Sequence, residues 1–271
     1  MEFVFDHLVH FVEEPEKAVQ EFQAVGFHAV EGGVHEDRGT YNGLSYFGLS
    51  YIEFLGTYDR DLVKNTEHPS FSLISTIIRD EFREGFARFA IRTTNIEGVA
   101  QRFKEHGLKV TGPVPLHRKR PDGSVVKWQL LYAGTDEEGP ELPFIIQWEA
   151  EDDEREKDLI QQKVMADHPN GEALKIASLS FAVKDLKESV RQWSILLNAP
   201  VKDAYTDEKL NAQGQAVVIG DVEIIFYEPI GKGIVQHKLE SRGEKPFQIV
   251  IQGGKEEKSF DLFHGHYIIK Q

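Results

Sequence analysis

The chain opens with an apolar run followed by a segment of helical periodicity. Residues 5–12 are almost entirely apolar apart from Asp6 and two histidines, a pattern typical of a buried strand. After Glu14, apolar side chains recur at Ala18, Val19 and Phe22, which is the spacing of one helix face. The pattern predicts a strand and then a helix, with Gly26 as the helix terminator.

The strand-and-helix pattern occurs three times, which predicts a repeat architecture. Later copies begin at Phe86 and Ile176, and superposing Phe5 on Phe86 also superposes Phe22 on Phe103. Strand candidates separated by Gly-containing turns follow each helix, at residues 44–47, 51–55, 128–132, 144–148, 216–219 and 222–227. A fourth copy starting at residue 247 lacks an adequate helix. The predicted fold class is therefore α+β, built from strand–helix–strands modules, with the fourth module truncated.

An acidic run divides the second copy from the third. Residues 149–158 are mostly charged, and an apolar stretch at 159–166 and a Pro-Asn-Gly turn at 169–171 follow them. This pattern indicates a solvated linker with a short helix. We therefore expect paired modules over residues 1–150, a linker over 151–171, and the third module with the partial fourth over 172–271.

Composition and charge exclude several classes of function. The chain has 271 residues, 40% of them hydrophobic, and a formal charge of −14, which fits a folded protein and argues against nucleic acid as a partner. Absence of cysteine excludes thiol nucleophiles, thiolate zinc sites and disulfides, so any metal must use histidines and carboxylates. The sequence has no secretory signal pattern and no membrane-spanning apolar run, which predicts a cytoplasmic protein that does not enter membranes.

Several motifs then carry a family resemblance. They include His7 on the first strand, Gly32-Gly33-Val34-His35, Gly39-Thr40-Tyr41-Asn42, Tyr51-Ile52-Glu53, Arg120-Pro121-Asp122-Gly123 and His168-Pro169-Asn170-Gly171. With them, residues 3–185 resemble the glyoxalase-like domain of the vicinal oxygen chelate superfamily. The resemblance implies tandem βαβββ modules that pair into curved mixed sheets, and these sheets form a cup that holds a divalent metal or a small-molecule ligand.

The resemblance also implies site residues, because ligands in this family come from the first and last strands of each module. In the first module these positions fall on His7 and Glu53, which makes both residues candidate metal ligands for one divalent ion (Mn, Fe, Ni or Zn). In the second module they fall on Arg88, which cannot ligate a metal, and on Gln147. Metal-assisted and metal-free chemistry therefore both remain open. The third module places Ser178 and an apolar residue there, so its cup is interpreted as structural or as a homodimer interface.

The residues themselves indicate how the first cup could work. Glu53 lies within an apolar strand, where an ionised carboxylate needs a compensating group. Arg88 could pair with Glu53, or receive a substrate carboxylate or enolate in bidentate fashion. A buried Arg88–Glu53 pair without chemistry is the structural alternative. His10, three residues after His7, is expected on the opposite strand face as a core histidine.

Residues around the cup complete the predicted site. His35 and Asn42 lie in or beside a Gly-rich segment expected at the rim, where they would contact ligand or exchange protons, although a simple connector is the alternative reading. Tyr51 and Trp128 would form an apolar wall. The leading hypothesis is an enzyme of the lyase, isomerase or dioxygenase type, with His7, Glu53 and Arg88 as catalytic residues. Its substrate would be a small anionic molecule with a carbonyl or enol group. A metal-free binding protein and a purely structural role are the competing hypotheses.

Overall fold

The computed structural model describes residues 3–35, 38–119, 124–136, 139–171 and 173–271. The amino-terminal part forms an eight-stranded sheet with the order β2-β3-β4-β1-β5-β8-β7-β6. Its strands are β1 (Val4–Phe11), β2 (Val30–His35), β3 (Thr40–Phe47), β4 (Ser50–Thr57), β5 (Gly85–Arg92), β6 (Lys109–Lys119), β7 (Val125–Gly134) and β8 (Phe144–Trp148). The predicted hairpin tip at residues 120–123 lies outside the described residues.

The carboxyl-terminal part forms a seven-stranded sheet with the order β10-β11-β12-β9-β13-β15-β14. Its strands are β9 (Lys175–Ala182), β10 (Tyr205–Asp207), β11 (Ala212–Ile219), β12 (Val222–Pro229), β13 (Pro246–Gln252), β14 (Lys258–Leu262) and β15 (Gly265–Lys270). The helices are α1 (Pro15–Ala24), α2 (Arg60–Asn65), α3 (Leu73–Arg79), α4 (Ile96–Glu105), α5 (Asp152–Gln161), α6 (Leu186–Leu197) and α7 (Ile234–Arg242).

The strand pairing confirms the predicted fold class of α+β with paired βαβββ modules in curved mixed sheets. Strand β1 pairs with β4 in parallel and with β5 antiparallel, so the first strands of two modules meet at the centre of the sheet. Strands β9, β12 and β13 repeat this arrangement in the second sheet. The modules therefore pair within one chain.

The module helices form where the sequence supplies caps and one apolar face. Helix α1 begins with Pro15 in its first turn, and Asn95 caps α4 by accepting a hydrogen bond from the Gly98 backbone N–H at 3.0 Å. Buried side chains follow helical spacing, as in Ala18, Val19 and Phe22 of α1. These faces cover the outer face of each sheet.

The outer layers of the two sheets share one hydrophobic core. Phe89 of β5 stacks on Trp193 of α6 with ring centroids 5.7 Å apart, and it meets Phe181 of β9 edge-on at 5.9 Å. Because all three side chains are almost fully buried, the two halves stabilise each other through aromatic packing. His10 faces this core, as the strand alternation predicts.

Helices α2 and α3, which the apolar repeat did not reveal, cover part of the inner face of the first sheet. Val63, Ile74 and Ile77 pack there against strand residues that include Val9 and Leu55. The insertion between the first and second modules thus lies over one side of the cup, which we define as the space bounded by this inner face.

The linker closes another side of the cup. Apart from Arg155, the side chains of α5 are largely solvent-exposed, whereas the Arg155 guanidinium lies 4.2 Å from the centroid of the Trp148 ring. After α5, Met165 packs against Tyr46 and Tyr51 of the inner face. In the motif at 168–171, His168 Nε2 bonds the Tyr46 carbonyl at 2.7 Å. The motif therefore fixes the linker to the sheet.

The two edges of the first sheet approach each other. Strands β2 and β6 are at opposite ends of the strand order, yet a Cβ added to Gly33 of β2 would lie 2.8 Å from Arg118 Nη1 of β6. The Arg118 side chain therefore packs against the backbone of Gly33. None of the helices in the described ranges has the length and apolar character that crossing a bilayer requires.

Candidate functional site

The cup contains a buried histidine held between two carboxylates. His7 Nδ1 lies 2.6 Å from Asp6 Oδ1, and His7 Nε2 lies 3.7 Å from Glu53 Oε2. The imidazole stacks on the Tyr51 ring at 4.5 Å and meets Phe144 edge-on at 5.3 Å. Aromatic contacts on both sides fix the ring plane, so Nε2 points toward Glu53.

A bulge in β1 brings Asp6 to the same side as His7. The pairing between β1 and β5 shifts register between Phe5 and His7, which makes Asp6 the extra residue. Burial by itself raises the pKa of Asp6, but His7, Arg155 and the Trp148 N–H hold it below its usual value. Trp148 Nε1 donates to Asp6 Oδ2 at 2.9 Å. Asp6 is therefore a carboxylate that orients His7, and strand alternation alone would have placed it on the other face.

A hydrogen bond to the other carboxylate oxygen of Glu53, Oε1, fixes the position of this side chain. Asn42 Nδ2 donates to Glu53 Oε1 at 2.6 Å, and Asn42 Oδ1 accepts the Gly33 backbone N–H at 2.8 Å. A Cβ added to Gly32 would lie 2.1 Å from Asn42 Oδ1, so the Gly-Gly pair leaves room for this amide. Asn42 thus positions Glu53, and Oε2 remains directed toward His7.

His35, which was predicted in a loop, is the last residue of strand β2 and lies close to Glu53. Its Nδ1 is 3.0 Å from Thr40 Oγ1. Burial lowers the pKa of His35, the nearby Glu53 charge opposes this, and Arg118 and Arg38 lower it further. Arg38, Arg118 and Glu53 are therefore all close to His35.

Arg38 and Arg118 are site residues that the sequence reasoning did not select. Arg38 lies close enough to Tyr132, which is buried on the inner face of β7, to affect the pKa of its hydroxyl. Burial raises the pKa of Tyr132, while the positive charges of Arg38 and Arg88 oppose the rise. The signal available in the sequence was the position of Arg38 within the Gly-rich rim segment. The structure therefore places cationic donors beside the carboxylate of Glu53.

Arg88 does not pair with Glu53, which corrects the predicted ion pair. Its Nη1 donates to the Phe71 carbonyl at 2.5 Å, and its Nη2 donates to the Leu142 carbonyl. Burial lowers the pKa of Arg88, and Glu141 is the carboxylate that counteracts it. Because both Nη atoms bind the backbone, Arg88 joins the segment before α3 to the segment before β8.

Gln147 is also not in the cup, because strand alternation turns Ile146 and Trp148 inward and Gln147 outward. Its Oε1 accepts the Ile96 backbone N–H at 2.8 Å, at the first turn of α4. The expected ligand position on β8 is therefore used to satisfy a helix terminus. Tyr51 and Trp128 do lie on the inner side, where Trp128 is 5.7 Å from Trp148 between ring centroids.

The donor groups do not fit the metal site that the family resemblance implies. His7 Nε2 and Glu53 Oε2 are two donors, whereas Arg88 is cationic and Gln147 points away. Across the described ranges, no cluster of three or more His, Asp or Glu side chains is placed to hold a metal ion. A catalytic metal centre normally uses three protein ligands, so the present residues favour acid–base chemistry by His7 and Glu53 themselves.

Comparisons with known proteins agree with the fold. A family model described as a glyoxalase-like domain matches residues 5–197. No curated protein matches the chain. A hypothetical protein from Staphylococcus aureus is similar over 99% of this chain and 100% of its own, with 22% identity and a TM-score of 0.80. A mutant of 4-hydroxymandelate synthase from Streptomyces coelicolor is similar over 93% of this chain and 71% of its own, with 10% identity and a TM-score of 0.59.

Proposed function

The chain belongs to the glyoxalase-like domain family, and from that premise we propose that it catalyses proton transfer at a carbon next to a carbonyl group. The substrate would be a small anionic metabolite bound in the cup. Within the range of reactions predicted from the sequence, this is isomerase or lyase chemistry. His7 and Glu53 exchange the proton.

The observation that supports the proposal is the pair of proton acceptors facing one another. The Asp6 carboxylate accepts the proton of His7 Nδ1, so deprotonated Nε2 would present a lone pair toward Glu53. Glu53 Oε2 lies 3.7 Å from this nitrogen, beyond direct hydrogen-bond distance. A substrate C–H or hydroxyl that faces both groups can lose a proton to one of them and regain it from the other. Asp6 stabilises the imidazolium that forms.

The cations supply recognition of the anionic substrate. Deprotonation beside a carbonyl develops negative charge on oxygen, and donors placed at that oxygen lower the barrier. The Arg38–Tyr132 pair and Arg118 are near Glu53 on the inner side. We assign binding of the substrate carboxylate or enolate to these groups in place of Arg88, whose two Nη atoms donate to backbone carbonyls.

The second sheet supports a structural role for its own inner face. Helix α7 covers that face, where Val235 packs with Ala182, Tyr227 and Phe247. We therefore propose that activity is confined to the first cup. The homodimer and the cytoplasmic location stay predictions from the sequence.

Isotope exchange tests the proposal. The protein is incubated in D₂O with pyruvate, 2-oxobutyrate and phenylpyruvate, and deuterium incorporation next to the carbonyl is followed by proton NMR. We expect exchange by the wild type, and a decrease of about 100-fold in His7→Gln and in Glu53→Gln. The matched controls are His106→Gln and Glu31→Gln, which change exposed residues of the same types.

Two results would contradict the proposal. Exchange that is equally fast in both site variants would remove His7 and Glu53 from the chemistry. Binding of these acids without any exchange by the wild type would support the alternative, a metal-free binding protein. Circular dichroism of each variant shows whether a loss of exchange reflects chemistry or unfolding.

A further inference from the structure

A second concave site lies between the two halves of the chain. It is a cleft of about 510 Å³, a volume in the range of small-molecule sites. Residues 81–86, which follow α3 and include the first two residues of β5, form one wall. Helix α7 and the turn at His264 form the other. A ligand in this cleft would contact both halves at once.

The cleft is lined by more cationic than anionic side chains, although the chain has a formal charge of −14. Five cationic side chains line it, Arg60, Arg83, Lys238, Arg242 and Lys245. Two of them are already neutralised, because Arg60 Nη2 lies 2.5 Å from Glu13 and Lys245 Nζ lies 2.8 Å from Asp80. The carboxylates of Glu81 and Glu84 also line the cleft.

The other three cations bind mainly backbone carbonyls. Arg83 Nη1 donates to the Ser241 carbonyl at 3.2 Å, Lys238 Nζ is 3.5 Å from the His264 carbonyl, and Arg242 Nη1 donates to the Glu84 carbonyl at 2.7 Å. Carbonyl oxygens satisfy donors without cancelling a full charge. Positive charge therefore remains available to an anion in the cleft.

One guanidinium nitrogen of Arg242, which lines the cleft, donates no hydrogen bond. Its Nη2 is buried without a hydrogen-bond acceptor, and the nearest carboxylate, on Asp80, is 3.8 Å away. Buried donors in proteins are nearly always paired with a protein group, a water or an ion. Arg242 Nη2 therefore has unused hydrogen-bonding capacity beside the cleft, in addition to its ion pair with Asp80.

Backbone strain is concentrated on both walls. Glu81 and Phe82 have φ angles of 58° and 57°, and His264 has a φ of 66°. Residues other than glycine rarely adopt this left-handed backbone conformation, and the exceptions cluster at ligand sites and switches. Here they shape the two loops that face each other across the cleft.

We propose that this cleft binds a small organic anion with a carboxylate or phosphate group on an apolar body. Arg83, Lys238 and Arg242 take the anionic group. Phe82, Phe86 and Phe247, which also line the cleft, contact the apolar body. Because the ligand bridges the two halves, binding stabilises the folded chain against heat.

Calorimetry on the full chain at low ionic strength tests the site with three probes, phenyl phosphate, benzoate and inorganic phosphate. We expect an organic anion to bind more tightly than inorganic phosphate, since only the organic anion uses the aromatic lining. Comparing the affinities of phenyl phosphate and benzoate shows whether the site prefers a phosphate or a carboxylate group. Lys238→Glu is expected to weaken binding about 10-fold or more through charge reversal.

The controls separate this cleft from general charge and from the cup. Lys232→Glu makes the same charge change on an exposed residue just before α7 and outside the cleft, and it should leave affinity within about twofold. Arg83→Gln, which removes a single charge, should weaken binding in the same direction as Lys238→Glu. Glu53→Gln should leave binding unchanged.

Three outcomes would overturn the proposal. They are absence of binding of all three probes at millimolar concentration, equal weakening in Lys238→Glu and Lys232→Glu, or a change of affinity in Glu53→Gln that places the anion in the cup. These outcomes do not depend on the exchange activity proposed for the cup.

Discussion

His10 of β1 and Tyr267 of β15 are 257 residues apart in the chain and share a hydrogen bond of 2.7 Å. His10 Nε2 is also 2.9 Å from the Phe263 carbonyl, which accepts only, so the ring carries its proton on Nε2. The Tyr267 hydroxyl therefore donates to Nδ1. A neutral, fully buried histidine thus joins the first strand of the chain to the last.

A double-mutant cycle on this pair measures the coupling between the halves. Tyr267→Phe leaves a buried imidazole nitrogen without its donor and is expected to lower the free energy of unfolding by about 1–3 kcal/mol. His10→Phe and the double variant complete the cycle. We expect a coupling energy of about 1 kcal/mol from urea denaturation. Additive effects would show that the bond contributes nothing specific.

The same histidine predicts a loss of stability in acid. Burial lowers the pKa of His10 from 6.5 to about 4, with Arg242 and His264 contributing and the Phe263 carbonyl opposing. Between these values the unfolded chain binds a proton that the folded chain does not, so stability falls as pH decreases from 6.5 to about 4. The full effect is about 3 kcal/mol.

Denaturation at a series of pH values checks this, with His10→Gln as the comparison. The variant should show a flatter dependence over the same window. A parallel dependence in the wild type and the variant would assign the acid sensitivity to other groups, among which are His35 and His168, whose pKa values burial also lowers.

Arg88 should behave as a structural residue. Arg88→Met removes two donors from buried carbonyls, and we expect the free energy of unfolding to fall by about 3 kcal/mol. Arg79→Met is the matched control, because Arg79 is exposed and its pairing with Glu141 is worth at most about 1 kcal/mol. If Arg88→Met keeps its stability and loses only exchange activity, Arg88 binds the substrate and is not a structural residue.

Asn42 should matter for activity beyond its effect on stability. Asn42→Ala removes the donor to Glu53 Oε1 and the acceptor of the Gly33 N–H, so we expect exchange to fall about 10-fold. Asn95→Ala, which removes the cap of α4, costs about 1 kcal/mol of stability without touching the cup. If both variants lose the same amount of exchange activity, Asn42 affects exchange only through the stability of the fold.

Local patterns in the sequence were sufficient for the repeat and its elements. The apolar runs beginning at Phe5, Phe86 and Ile176 and the helical spacings after them predicted strands β1, β5 and β9 with helices α1, α4 and α6. Burial of alternating or periodic side chains depends on residues close in sequence, so these elements could be read directly. Helices α2, α3 and α7 were missed because they lie outside the repeated strand-and-helix pattern, and α7 buries only Val235, so no apolar face marks it.

For the candidate site, the sequence selected His7, Glu53, Asn42 and His35, which the fold brings together. It could not place Asp6, since a bulge in β1 reverses the face that simple alternation assigns. It also paired Arg88 with Glu53, although backbone carbonyls from two distant loops take the guanidinium.

The sequence by itself therefore determined the modules, the family and the candidate proton-transfer residues. Only the tertiary structure decided which groups complete the cup and which cations surround the cleft between the halves. The physical reason is that residue type and spacing fix which side of an element is apolar, whereas a charged group's partner depends on loops that meet only after folding.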